Sequence, residues 1–175
     1  MNTKKMTLSA IFTALICVGA FLRIPVPIVP FTLQFLFVVL SGMLLDWKYG
    51  MLSVLVYIAL GLAGLPVFTS GGGLSYVLHP TFGFLLGFIP AAAISGYITH
   101  HIHHRLSPLI GGIVAILCMY LIALPYLYFI LTYVMDIAIT IPALFTSYCF
   151  IFLPGDTVSV CLSTFLYRRL SHIIK

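Results

Sequence analysis

"FIFLPGDTVSVCLSTFL", residues 150–166, is apolar almost throughout, yet Pro154, Gly155 and the carboxylate Asp156 stand within it. Only three residues of the 175 are acidic, and this run holds one of them. A stretch this apolar is either the core of a soluble domain or a passage through lipid. The rest of the chain decides between the two. Hydrophobic residues make up 62% of it and charged residues 6%, against about a quarter charged in an ordinary soluble domain. Such a chain cannot cover a water-facing exterior, so lipid is its solvent. Apolar runs near the roughly 20 residues that cross a bilayer as helix recur along its length. Alternating strand patterns of about ten residues do not, which argues against an outer-membrane barrel.

Six spans are expected, over about 6–22, 30–45, 49–65, 81–99, 108–133 and 140–167. Pro125 should kink the fifth, and Pro154-Gly155 should interrupt the last. The expected architecture is an all-α integral membrane protein, a single domain over residues 1–175. The opening apolar run, 6–22, is long for a cleavable signal core and lacks a clear A-x-A site, so an uncleaved first helix is expected.

Net charge is +5. The cations sit at the ends of the apolar runs, which makes them markers of orientation rather than a nucleic-acid surface. Six spans put Lys4, Lys5, Lys48, Arg105, Arg168, Arg169 and Lys175 on one side and Arg23 on the other. That bias places both termini in the cytoplasm and the 66–80 loop outside. The four cysteines (Cys17, Cys118, Cys149, Cys161) show no metal or redox spacing and lie in apolar segments. The run "HHIHHR" (100–105) reads as an interfacial loop rather than a metal site, since no Cys or acid accompanies it.

Depth follows from the helical rise. Asp156 precedes Arg168 by twelve residues, and Gln34 precedes Asp46 by twelve. Each offset is about 18 Å of helix, which carries both side chains to near the midplane of a core about 30 Å thick. A carboxylate there costs about 2.5–3.5 kcal/mol on the insertion scale and must face a partner or a cavity. Gln34 is a weaker sign, because lone polar residues also join helices. In the outer loop, Gly71, Gly72 and Gly73 allow close backbone approach to a ligand. The opening of span four at Pro80-Thr81 aims its first N–H groups the same way. Ala10 and Ala14 on span one, beside Ser9 and Thr13, form a small-residue face for close helix packing, against a partner or the chain's own helices. No G-K-[ST], HExxH or G-x-S-x-G motif occurs, so neither ATP hydrolysis by a Walker site nor enzymatic turnover is expected of this chain, and no cofactor.

These residues fall into a pattern. "PFTLQ" (30–34), "GLPVF" (64–68), Gly73 followed after six residues by "PTFGFLLGF" (80–88), "ALPYL" (123–127) and "LPGD" (153–156) occur in that order. The pattern resembles that of BioY, the biotin-binding subunit of energy-coupling-factor (ECF) vitamin transporters, over nearly the whole chain. The resemblance implies biotin capture in a bacterial or archaeal cytoplasmic membrane. It also implies partnership with a transmembrane coupling subunit and two ATPases, and the use of Ala10 and Ala14 to meet that coupling subunit. One departure is Ser159, which stands where the family commonly has Lys, three residues after the Asp of P-G-D. On this resemblance Asp156 accepts from the ureido N–H groups, with Gln34 and Ser159 adding hydrogen bonds. Phe68, Tyr76 and Phe84 enclose the thiophane ring. The valerate carboxylate meets Gly71–Gly73, the span-four N-terminus at Thr81, or Arg23. Another vitamin on the same scaffold remains open. An ion or proton channel through Asp156 and an intramembrane enzyme are rivals of a different kind, but no ring of charges and no nucleophile–base pair supports them.

Overall fold

The computed structural model of the chain describes residues 3–24 and 29–174. Residues 25–28, within the run "PVPIVP" (25–30) that follows the first span, and the cation Lys175 lie outside the described residues. The elements in order are α1 (Thr3–Phe21), β1 (Arg23–Ile24), β2 (Phe31–Thr32), α2 (Gln34–Leu45), α3 (Trp47–Leu62), a 3-10 turn (Leu74–Leu78), α4 (Phe82–His101), α5 (Ser107–Phe129), α6 (Ile141–Phe145) and α7 (Leu153–Ile174). Helix α5 runs on as a π-helical turn over Ile130–Val134, and α6 runs on as another over Thr146–Phe150.

Among the described residues, four stretches are long and apolar enough to cross a membrane: Thr3–Phe21, Phe82–His101, Ser107–Val134 and Ile141–Ile173. Two apolar helices, Gln34–Leu45 and Trp47–Leu62, are shorter, at about 18 and 24 Å. The second expected span is thus trimmed at its start. Phe31–Thr32 instead pairs antiparallel with Arg23–Ile24, in register Arg23↔Thr32 and Ile24↔Phe31. This hairpin forms a small flap between α1 and α2. The expected interruption at Pro154-Gly155 falls slightly earlier, at Ile151–Phe152. Pro154 sits in the first turn of α7, where its missing N–H costs nothing. Pro125 lies inside α5, which continues to Phe129 before its winding changes.

Helix α2 is apolar all round and is buried at every residue except Phe37, as such a helix must be. It packs against α1, α3, α4 and α7. Close approach explains Gly42: a Cβ there would lie 2.1 Å from the Ala92 carbonyl oxygen on α4. Asp46, at φ 83°, turns the chain from α2 into α3 and accepts from the Trp47 N–H at 2.7 Å, capping α3. Small hydroxyls tie the helices through backbone carbonyls: Ser9 to Tyr49 (3.1 Å), Thr13 to Ser53 (3.0 Å) and Ser163 to Leu36 (2.9 Å). Large apolar side chains such as Leu117 and Leu121 on α5 and Val158 and Phe165 on α7 face outward. An exterior of this kind is covered by lipid, so the chain is a multi-pass membrane protein.

The two ends of the bundle differ. At one end Arg168 donates to the Arg105 carbonyl (3.1 Å), and His100 Nε2 lies 2.8 Å from the Met43 carbonyl. At that same end Lys5 sits over the Tyr49 ring. At the other end are the β1–β2 flap and the loop after α3. There the Arg23 guanidinium donates to the Thr69 carbonyl, and the Tyr126 hydroxyl to the Val77 carbonyl.

Candidate functional site

A cavity opens between the flap, the loop after α3 and the helices beneath them. The flap supplies Val29, Pro30, Phe31 and Thr32, and the loop supplies Thr69 and Tyr76. Gln34 and Phe35 come from α2, Thr81, Phe84, Leu85 and Phe88 from the start of α4, and Met119 from α5. Phe152 and Asp156 close it from the break before α7 and its first turn. About 530 Å³ lies between these atoms, part of it open to solvent.

The walls are aromatic. Phe31 stacks on Phe152 with centroids 6.3 Å apart, and Phe35 tilts against Phe88 at 6.0 Å. Polar groups are few and held in place. Asp156 is 6% exposed, and its Oδ2 accepts from the Tyr120 hydroxyl of α5 at 2.5 Å. Gln34 is 3% exposed. Its Nε2 donates to the Tyr57 hydroxyl (2.7 Å), which donates in turn to the Val67 carbonyl (3.3 Å). Thr32 Oγ1 donates to Gln34 Oε1 at 3.3 Å.

Nearer the Arg23 end, hydroxyls form a chain. Thr69 meets Tyr76, and Tyr76 meets Thr81, each at 2.8 Å. His79 Nδ1 receives the Thr81 hydroxyl (2.8 Å) and the Thr81 N–H (3.4 Å). The His79 ring stacks on Tyr76 at 4.8 Å. Burial pushes the His79 pKa below its ordinary value, which favours the neutral ring with Nδ1 as acceptor.

The structure brings Asp156, Gln34, Tyr76, Thr81 and Phe84 to one cavity. Phe68 sits behind it, 1% exposed, between Tyr57 and Tyr76. Ser159 is buried one turn along α7 from Asp156 and does not line the cavity. Neither do Gly71, Gly72 and Gly73. The Gly71 N–H goes to the Phe68 carbonyl and the Gly73 N–H to the Gly61 carbonyl, so these two donors are spent inside the loop. Arg23 reaches Thr69 from outside the cavity. Ala10 and Ala14 lie exposed on α1, while Ser9 and Thr13 turn inward. Sequence reasoning missed Phe31, Thr69, Phe88, Met119, Tyr120 and Phe152. Thr69 carried a signal, as a polar residue beside the glycine triplet. The apolar ones carried none, because nothing distinguishes one Phe among fourteen.

This arrangement accepts a small, mostly apolar molecule with hydrogen-bond donors at one end. Known proteins match this chain in sequence and in shape. A 48% match over 129 residues covers 73% of this chain and 66% of the "Probable biotin transporter BioY" of Lysinibacillus sphaericus. The "Biotin transporter BioY2" of Lactococcus lactis subsp. cremoris is 34% identical over 99% of this chain and 97% of its own. The chain spans only 66%, 53% and 60% of the length of three of the curated relatives it matches. The crystal structure of "the S-component for biotin from an ECF-type ABC transporter" superposes with a TM-score of 0.70 at 29% identity, covering 97% of this chain and 94% of that one. The family model described as "BioY family" matches residues 1–175. With that model over the whole chain and relatives matched along its full length, the chain belongs to the BioY family.

Proposed function

We propose that this chain captures biotin for uptake, as the substrate-binding subunit of an ECF-type transporter. The observation that carries the reading is the pairing of Asp156 and Gln34 on one aromatic-walled cavity at the flap end of the bundle. Biotin's ureido ring offers two N–H donors. Asp156 accepts one of them in a charge-assisted bond, and Gln34 lies in reach of the same ring. Phe31, Phe84, Phe88 and Phe152 enclose the thiophane ring, as apolar walls do in most small-molecule sites. The valerate carboxylate runs toward the hydroxyls of Thr69, Tyr76 and Thr81, with Arg23 beyond them. An analogue lacking the ring N–H groups leaves buried acceptors unpaired, which gives strong discrimination.

The chain has no Walker A motif, so energy is supplied by other subunits. In this reading they are a transmembrane coupling subunit and two ATPases, and the exposed Ala10/Ala14 face of α1 meets the coupling subunit. The protein sits in the cytoplasmic membrane with six spans, α1 to α5 and α6–α7 as the sixth. Both termini and the cation-rich end face the cytoplasm, so the cavity opens outward. The test is a panel of vitamins in thermal-shift assays on the purified chain, with mass spectrometry of copurified small molecules. Selective stabilisation by biotin is expected. Stabilisation by a different vitamin, with biotin silent, would overturn the assignment.

A further inference from the structure

Two of the polar side chains that line the cavity, Asp156 and Gln34, are each held from behind by a tyrosine that does not line it. Tyr120, on α5, donates to Asp156 Oδ2 at 2.5 Å. A carboxylate accepts at both oxygens, so this bond occupies one and leaves Oδ1. Tyr57, on α3, does the same for Gln34 by a longer route. Its single hydroxyl proton goes to the Val67 carbonyl. Its oxygen is therefore the acceptor in its bond with Gln34, and the atom facing it must be the amide nitrogen. Thr32 Oγ1, donating at 3.3 Å, agrees that the other atom is the oxygen Oε1. A carbonyl oxygen has two lone pairs, so Oε1 keeps one acceptor site. Both tyrosines are buried: Tyr57 is 0% exposed and Tyr120 5%. Phe68 packs edge-on against the first ring and Phe84 against the second.

We infer that Tyr57 and Tyr120 are positioning residues that fix the polar sense of the cavity. They leave it two acceptors, Gln34 Oε1 and Asp156 Oδ1, on opposite elements, which selects a ring carrying two N–H donors. Without Tyr57 the Gln34 amide is free to flip and present its NH₂. Without Tyr120 the Asp156 carboxylate is free to rotate, and its second oxygen loses its donor. The ligand class is a cyclic urea or a similar flat ring with N–H on two sides. This rests on the proposed function, which names biotin as the member of that class.

The experiment is a pair of double-mutant cycles on the purified full chain, reading biotin affinity. Tyr120→Phe is measured alone and in Asp156→Ala, and Tyr57→Phe alone and in Gln34→Ala. Each Phe substitution keeps the ring and removes one hydroxyl. Tyr120→Phe is expected to weaken biotin about tenfold, and to have no further effect once Asp156 is Ala. Tyr57→Phe should behave the same way toward Gln34. Equal losses in both backgrounds, or none in either, overturn the inference. Where an alanine background binds too weakly to titrate, the ratio of affinities for biotin and for its ring-N-methylated form decides. That ratio falls in the tyrosine variants if they set the acceptors and is unchanged if they only support packing. The two readings fail separately. Biotin binding untouched by Asp156→Ala removes the proposed site, whereas loss in Asp156→Ala with none in Tyr120→Phe removes only the role of Tyr120.

Discussion

The Phe31 ring, on the flap, lies against the Phe152 ring, at the break before α7, with 18° between their planes. Both line the cavity. The contact joins the β1–β2 flap to the break before α7, and Gly155 makes it possible. A Cβ on Gly155 would lie 2.4 Å from the Phe31 ring. Gly155→Ala therefore displaces Phe31 and leaves the helix intact. Because an aromatic pair is worth about 0.5–1.5 kcal/mol beyond its area, biotin affinity should fall roughly threefold to tenfold. The melting temperature without ligand should also fall modestly, because the pair is already formed in the unliganded protein. Isothermal titration and a melting curve on the same sample check both halves.

Gly42 is a point of close helix approach in the bundle. Its missing side chain lets the Ala92 carbonyl of α4 come within reach, and Gly50 of α3 packs on its Cα. Gly42→Ala should destabilise the protein by about 1–3 kcal/mol through overpacking. A lowered melting temperature in detergent is the expected readout, and an unchanged one would mean that α2 and α4 part without cost.

Side chains on α1 fall on two faces. Ser9 and Thr13 reach α3 carbonyls, while Ala10 and Ala14 point outward. Ala10→Trp with Ala14→Trp should leave biotin binding to the isolated chain unchanged. It should block copurification with the coupling subunit and abolish uptake. Loss of binding in the isolated chain would show that this face supports the fold instead.

Ser159 lies one helical turn from Asp156, on the same element. Lysine at this position brings an ammonium group near the carboxylate, and opposite charges in so apolar a place attract strongly. Ser159→Lys is expected to hold or raise biotin affinity, and to reduce the loss caused by Tyr120→Phe. Competition binding on the single and double variants measures this. A fall in affinity would mean that the lysine stem fills the cavity.

What the sequence makes legible follows from contrast. Asp156 and Gln34 stand out because each is a polar residue in an apolar run, and equal helical offsets from charged boundaries place them at one depth. Long runs such as 81–99 and 108–133 have no competing structure, so their helices are read easily. Phe31, Phe88, Met119 and Phe152 are different: in a chain 62% hydrophobic, periodicity cannot separate cavity wall from core or lipid face. Tyr120 and Tyr57 were hidden because their role depends on which helix lies opposite them. The β1–β2 flap is too short for an alternating pattern. Pro154 in an apolar run predicts a break, but a proline in the first turn starts a helix as readily as it ends one.

The most direct test compares biotin binding by the wild-type chain and by Asp156→Asn, both purified and matched for folding. Replacing the charged acceptor with a neutral amide should cost about 1.5–3 kcal/mol, a roughly tenfold to hundredfold loss of affinity. Equal affinity in the two proteins would contradict the claim that this carboxylate receives the ring of the vitamin.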